Sequence, residues 1–430
     1  MKLNSSTVAR LAFVLYIFFI FFGTALPFQE KLASADDISS SNVFSQFIYS
    51  TIYLLAGVAL FTKRRALAAF IRREKCLTLF LLWCLLTVLW SDFPMTSFKR
   101  WMQAFGSFVV LTAALLHFDS PENALDNIKK ILLVYLPLSL LAVLFVYEAT
   151  QWEFPAWRGL APSKNWLGQI TLTSVIVWSS FWSQKNTRRK WLGAVFFAIS
   201  LILLLGSKST TSMLALGVVA VSAAFLAFER RMAQLGVGYF LSLFLLGAVS
   251  FLLLLAAWEN IDVKATFFDA LGKDATFTDR IFLWTAVIEN AQQHVLTGGG
   301  FDGFWVVGNE EMDYMYKKFV WLPNQAHNGY IDMLNEIGVI GVGLFLLVIC
   351  NFFIALAKLQ SPQIWKWFIV AALIVNLQES TFFRFNAVSG IMFTLGYLAV
   401  FRQRQLQNRQ RENRHMSSEQ PNTEPAPTLR

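Results

Sequence analysis

The chain has 430 residues, 56% of them hydrophobic, 16% aromatic and only 15% charged, with a mean hydropathy of +0.51. An average soluble domain carries roughly 25% charged residues, and a water-soluble core has no room for this much apolar surface. The apolar blocks reach the roughly 17–25 residues that a helix needs to cross a bilayer, so the composition excludes a soluble globular protein and predicts an all-α polytopic membrane protein.

About twelve spans follow from the hydropathy, at 9–28, 43–62, 75–91, 101–118, 128–148, 165–183, 191–206, 210–228, 235–257, 337–357, 365–380 and 385–401. After the first, Ala33-Ser34-Ala35 has the look of a signal-peptidase site. The apolar stretch from Leu11 to Phe28 has 18 residues, however, longer than the usual h-region of about 7–15, and predicts an uncleaved helix. An even number of spans puts both termini on one side. With that side cytoplasmic, it receives 24 Lys/Arg and 8 Asp/Glu, and the other side 12 and 19. This is the asymmetry of the positive-inside rule, and Lys63-Arg64-Arg65, Arg72-Arg73, Arg188-Arg189-Lys190 and Arg230-Arg231 supply much of it. The net charge of +9 is thus a topology signal and does not point to nucleic acid. Cys76, Cys84 and Cys350 stand in or beside apolar blocks at unrelated spacings, so neither a disulfide nor a metal site is expected from them.

The expected organisation is nine helices in 1–257, a large outside loop over 258–326, three further helices in 327–401 and a disordered cytoplasmic tail over 402–430. Within the loop, Phe277, Ile281, Trp284, Val287, Ile288 and Ala291 recur at helical steps and predict a helix from Thr276 to His294 that packs on the membrane domain or lies at its interface. Gly298-Gly299-Gly300 follows without a preceding strand or a following Lys-Ser/Thr, so it is a turn and not a nucleotide loop.

His327-Asn328 closes the loop and precedes Gly338-Val339-Ile340-Gly341. The pattern puts an imidazole at the mouth of a span, beside the amide-rich start of a helix, where proton removal next to a phosphate-bearing substrate is favoured. Cations are sparse on this face. Arg158, Lys164, Lys208, Arg280 and Arg384 are therefore conspicuous as phosphate partners, against the plainer alternative that each pairs with a nearby carboxylate such as Glu148, Glu153 or Asp279. Asp332 and Glu336 are candidates to orient a sugar or the imidazole, and Glu379 flanks the last outside turn with Arg384. No paired carboxylates, Asp-x-Asp or HExxH pattern supports acid-pair hydrolysis or a metal-dependent transfer.

These residues resemble, in order, the bacterial O-antigen ligases and Wzy-type polysaccharide polymerases, in particular the ExoQ-like branch. The resemblance is carried by Arg158-Gly159, Lys164-Asn165 with Gly168, Gly206-Ser207-Lys208-Ser209, Asp279-Arg280 with Trp284, Gly298-Gly299-Gly300-Phe301, and His327-Asn328 with Gly338 and Gly341. It implies a GT-C-like lipid-linked glycosyltransferase of the inner membrane, with its active site facing the periplasm and no cofactor or metal. The implied reaction is an inverting transfer of a glycan from undecaprenyl diphosphate to a hydroxyl of the next lipid-linked repeat unit. Both donor and acceptor would be undecaprenyl-diphosphate-linked oligosaccharides, with membrane lipid around them and a chain-length regulator or export complex as candidate partner. By position His327 would be the general base, Arg158 and Arg280 the diphosphate ligands, and Lys208 and Lys164 lesser ones. Asn328, Asp332, Glu336, Glu379 and Arg384 stand as secondary candidates. Asp279, where the family often has glycine, would partly neutralise Arg280. A ligase acting on a lipid A-core shares this chemistry. A secondary transporter is the alternative from another class, and neither an internal repeat nor a charge deep in a span speaks for it.

Overall fold

A computed structural model describes residues 4–24, 43–151, 156–183, 185–232, 276–310, 312, 323–359 and 364–418. The expected span at 235–257 lies outside them. The helices are α1 Ser5–Phe22, α2 Val43–Thr62, α3 Arg64–Arg73, α4 Lys75–Thr87, α5 Pro94–His117, α6 Glu122–Phe145, α7 Lys164–Trp178, α8 Thr187–Gly206, α9 Thr210–Met232, α10 Thr276–Gln293, α11 Gly329–Ala357, α12 Trp365–Val375 and α13 Val388–Ser418. Between α6 and α7, Thr150–Gln151 and Ala156–Trp157 pair antiparallel as a short hairpin, β1 and β2.

Among the described residues α1, α2, α6, α8 and α11 are long and apolar enough to cross a membrane, and shorter apolar helices cover Lys75–Trp90, Thr210–Leu226 and Trp365–Val375. Helix starts follow local chemistry. Asn4, Ser163 and Asn186 cap α1, α7 and α8 by accepting backbone N–H groups in the first turn, each satisfying a donor that has no intrahelical partner. One continuous core joins α1, α2, α5, α6 and α7 to α11, α12 and α13. Large side chains such as Phe47 and Phe145 point outward, as lipid-facing residues do. The protein is a helical, multi-pass membrane protein.

Helix α10 forms where the apolar spacing predicts it and packs along α11. Its buried face is Leu283, Val287 and Ala291, with Trp284 half-buried; Leu283 was not in the predicted stripe, and Ile288 is 37% exposed. The side chains of Phe277, Asp279 and Ile281 lie outside those described, so the expected neutralisation of Arg280 by Asp279 does too.

Two boundaries differ from expectation. Helix α11 starts at Gly329, eight residues before the predicted span, because Asp332, Asn335 and Glu336 are buried in spite of their polarity. Helix α13 continues through residues 402–418, expected to be disordered. That stretch is rich in Arg, Gln and Glu, all good helix formers, and it propagates from a helix already nucleated by core packing.

Candidate active site

Helix α11 is broken at Gly338, which has φ 66° and ψ −177°. The break frees backbone groups that a membrane helix must satisfy elsewhere. The segment after α10 supplies the partners. Gly299 N and Gly300 N donate to the carbonyls of Asn335 and Glu336, and Trp83 Nε1 donates to that of Ile337. In return Val339 N and Ile340 N donate to Val295 and Leu296. The triglycine is therefore a plug that fits into the break. A Cβ on Gly338 would lie 2.3 Å from Leu296 O, and one on Gly298 would lie 2.4 Å from the backbone of Glu336 and Ile337.

A charge network fastens the same joint. Arg384, in the turn between α12 and α13, pairs with Asp302 at 3.2 Å, Glu336 at 3.3 Å and Asp332 at 3.5 Å. Arg100 on α5 also pairs with Asp302 and donates to the carbonyls of Asp302 and Trp305. Asp332 accepts from Trp305 Nε1 at 2.8 Å and from the Ala326 amide. Of the secondary candidates, Arg384, Asp332 and Glu336 thus hold the frame together, with Asp332 in contact with Arg384, Trp305 and Ala326.

His327 stands on this frame. Its φ of 52° turns the chain sharply into α11, and Asn328 caps that helix by accepting from Tyr330 N and Ile331 N. The Gly329 amide donates to the carbonyls of Asn376 and Glu379, which ties the start of α11 to the turn after α12. That turn is wound around Asn376, whose Oδ1 accepts from Thr381 N and Phe382 N. Glu379, only 6% exposed, is brought 3.6 Å from His327 Nδ1. Its other contacts are Asn165 Nδ2 at 2.6 Å and Gln325 Nε2 at 3.3 Å. Gln325 also lies 3.3 Å from His327 Nδ1, and its Oε1 accepts from Ser380 N.

The cations gather on the same side. Burial holds the Lys164 ammonium below its ordinary pKa, and Arg280 and Lys208 push it lower, so the three charges act on one another. Burial also lowers Arg280, against the pull of Glu379. Lys208 sits at φ 47° in the turn between α8 and α9. Arg158 is carried by the hairpin and donates through Nε to the Glu148 carbonyl. The hairpin packs on the Lys208 turn: a Cβ on Gly206 would meet the Trp157 ring.

His327, Glu379, Arg280, Lys164 and Lys208 are thus brought together from five segments, with Asn165 and Gln325 between them. Sequence reasoning missed Gln325. Its only signal was its place two residues before His327, since its partners Glu379 and Ser380 are more than fifty residues away. Chemically, an imidazole with a buried carboxylate beside it stands near a concentration of positive charge on Arg280, Lys164 and Lys208. Such an arrangement suits deprotonation of a neutral group beside a polyanion.

The chain is similar in sequence to known proteins. Residues 195–346 match the family model described as O-Antigen ligase (Wzy_C), a stretch that holds Lys208, Arg280 and His327. Over 349 residues the chain is 26% identical to the exopolysaccharide production protein ExoQ of Rhizobium meliloti (strain 1021), which covers 76% of this chain and 77% of that relative. The chain is thus similar to the O-antigen ligase family over residues 195–346 and to an exopolysaccharide production protein over about three quarters of its length.

Proposed function

We propose that the protein polymerises a cell-surface polysaccharide at the periplasmic face of the bacterial inner membrane, with about twelve spans and both termini cytoplasmic. The growing glycan is transferred from undecaprenyl diphosphate to a hydroxyl of the next lipid-linked repeat unit. The observation that carries this reading is the His327–Glu379 pair set beside Arg280, Lys164 and Lys208.

In the proposed step His327 carries its proton on Nδ1, toward Glu379, and Nε2 takes the proton of the acceptor hydroxyl. The hydroxyl oxygen forms a bond to the anomeric carbon as the bond to the diphosphate oxygen breaks. The leaving diphosphate departs with the electron pair, and Arg280, Lys164 and Lys208 stabilise its charge, with Arg158 reaching in from the hairpin. Glu379 stabilises the imidazolium that forms, as an orienting carboxylate does in other acid–base pairs. A single displacement inverts the anomeric centre, and the protein's own cations do the work that a metal does elsewhere. Asn328 holds the imidazole in place through its cap on α11.

The family model's description favours a second reading, in which the acceptor is a lipid A-core and the product a ligated O-antigen. The two differ in what accumulates when transfer stops. In cells whose only copy is His327→Ala, single repeat units on the carrier indicate a lost polymerase. Long chains stranded on the carrier indicate a lost ligase and refute polymerisation.

A further inference from the structure

A polar cavity of about 280 Å³ lies toward the opposite end of α11 from His327. About 10–15 Å³ on the same measure holds one water, so this space admits a larger guest. Asn351 on its wall lies about 33 Å along α11 from Gly329 at 1.5 Å per residue, close to the roughly 30 Å of a bilayer's hydrocarbon core. The cavity is lined by Arg73 and Glu74 at the junction of α3 and α4, by Asn351, and by Phe401 and Arg404 of α13, with Phe70 at its edge.

The charges in it are unusual. Glu74 is only 4% exposed, and its Oε2 accepts from Asn351 Nδ2 and Tyr397 Oη, both at 3.3 Å. Neither bond falls on Oε1. Among the described residues no ion pair engages Glu74, Arg73 or Arg404. Burial pushes the Glu74 carboxyl up to about 7, outweighing the pull of Arg404 and Arg73. A desolvated carboxylate with an open oxygen calls for a cation with hydrogens to donate, and two guanidiniums on the same cavity call for a phosphate. Both charges on one small guest satisfy both demands. Helix α3 gives the direction from which that guest comes. It carries arginines at both ends, buries no residue in the bundle, and so has the character of a helix lying in the membrane interface.

We propose that this cavity is a headgroup site for a zwitterionic phospholipid, with the phosphodiester on Arg73 and Arg404 and a primary ammonium on Glu74. Phe70 and Phe401 supply the apolar wall beside the lipid's glycerol carbons. General attraction of α3 to anionic lipid is a separate effect that needs no cavity.

The test counts bound lipid by native mass spectrometry on the full-length protein, offered phosphatidylethanolamine, phosphatidylglycerol or phosphatidylcholine at equal concentration. Phosphatidylethanolamine should bind at least about fivefold better than phosphatidylcholine, whose quaternary ammonium has no hydrogen to donate. Glu74→Gln, which can keep the contacts with Asn351 and Tyr397, should abolish that preference. Arg73→Gln, at an exposed position, should weaken binding of all three. Four results overturn the proposal: equal binding of the two choline and ethanolamine lipids by the unsubstituted protein, preference for phosphatidylglycerol, a preference that survives Glu74→Gln, or displacement of lipid by soluble phosphoethanolamine. None of these readings depends on glycan transfer, so they stand or fall apart from the role of His327.

Discussion

Gly298 and Gly338 face each other across the break in α11 so closely that a Cβ on Gly338 would sit 2.5 Å from the Gly298 amide nitrogen. The contact joins the loop after α10 to the helix that carries His327 at its mouth. The segment after α10 is thereby joined to the start of α11, and Arg384 fastens the same joint through Glu336 and Asp302.

Gly338→Ala is expected to break that joint. A non-glycine residue with this φ and ψ costs about 1–3 kcal/mol, and the methyl would also press on the backbone at Leu296 and Gly298. The melting temperature of the purified protein should fall well below that of Gly343→Ala. There the Cβ would meet nothing within 4 Å, and φ is not positive.

Arg384 is expected to be structural. Removing its guanidinium leaves Asp302, Asp332 and Glu336 buried around an empty position, and breaking a buried pair in this way costs about 3–5 kcal/mol. Arg384→Leu should yield little folded protein by size-exclusion chromatography. Arg384→Lys should retain part of the fold, with turnover per folded molecule unchanged. A normal yield of folded but inactive Arg384→Leu would instead make it a substrate ligand.

Lys164 should trade stability for function. Burial, Arg280 and Lys208 lower its pKa, so at neutral pH the folded state bears a penalty for the charge. Lys164→Gln is expected to melt no lower than the unsubstituted protein, and above it at neutral pH, while its transfer rate drops. The sign follows from the direction of the shift. The penalty is full below the depressed folded value and shrinks as pH rises toward the ordinary 10.5, where both states lose the proton. The difference in melting temperature should close over that window.

Glu379 should act through His327. Glu379→Gln keeps the size of the side chain but removes the charge behind the imidazole, and kcat should fall by about 10²-fold, within the 10²–10⁴ that general-base help supplies. In a His327→Ala background the same change should cost little, because groups that act as a unit are not additive. Full additivity would mean that Glu379 serves Arg280 or Asn165 and not the imidazole.

The parts of this site that lie within one segment were legible in the sequence. His327-Asn328 at a span mouth, the helix over 276–293 and the triglycine turn all follow from local spacing. What escaped is what depends on contacts across the chain. The first two turns of α11 fall outside the apolar span because Asp332, Asn335 and Glu336 are polar; Arg384 and Trp305 partner the two carboxylates, and the triglycine amides take the backbone carbonyls of Asn335 and Glu336. For the same reason Asp332 and Glu336, close to His327 in sequence, are the carboxylates that the sequence offers to orient the imidazole, whereas Glu379, 52 positions on, reads only as a flank of the last outside turn. The Asn376 turn puts Glu379 beside the imidazole, and no pattern in one sequence reveals that fold-back.

Purified protein given undecaprenyl-diphosphate-linked repeat units, with product glycan and released undecaprenyl diphosphate followed together, shows whether His327 is the base of the transfer. His327→Ala, with a melting temperature like that of the unsubstituted protein, should produce neither above background. Polymer formed by that variant at the unsubstituted rate would contradict the account.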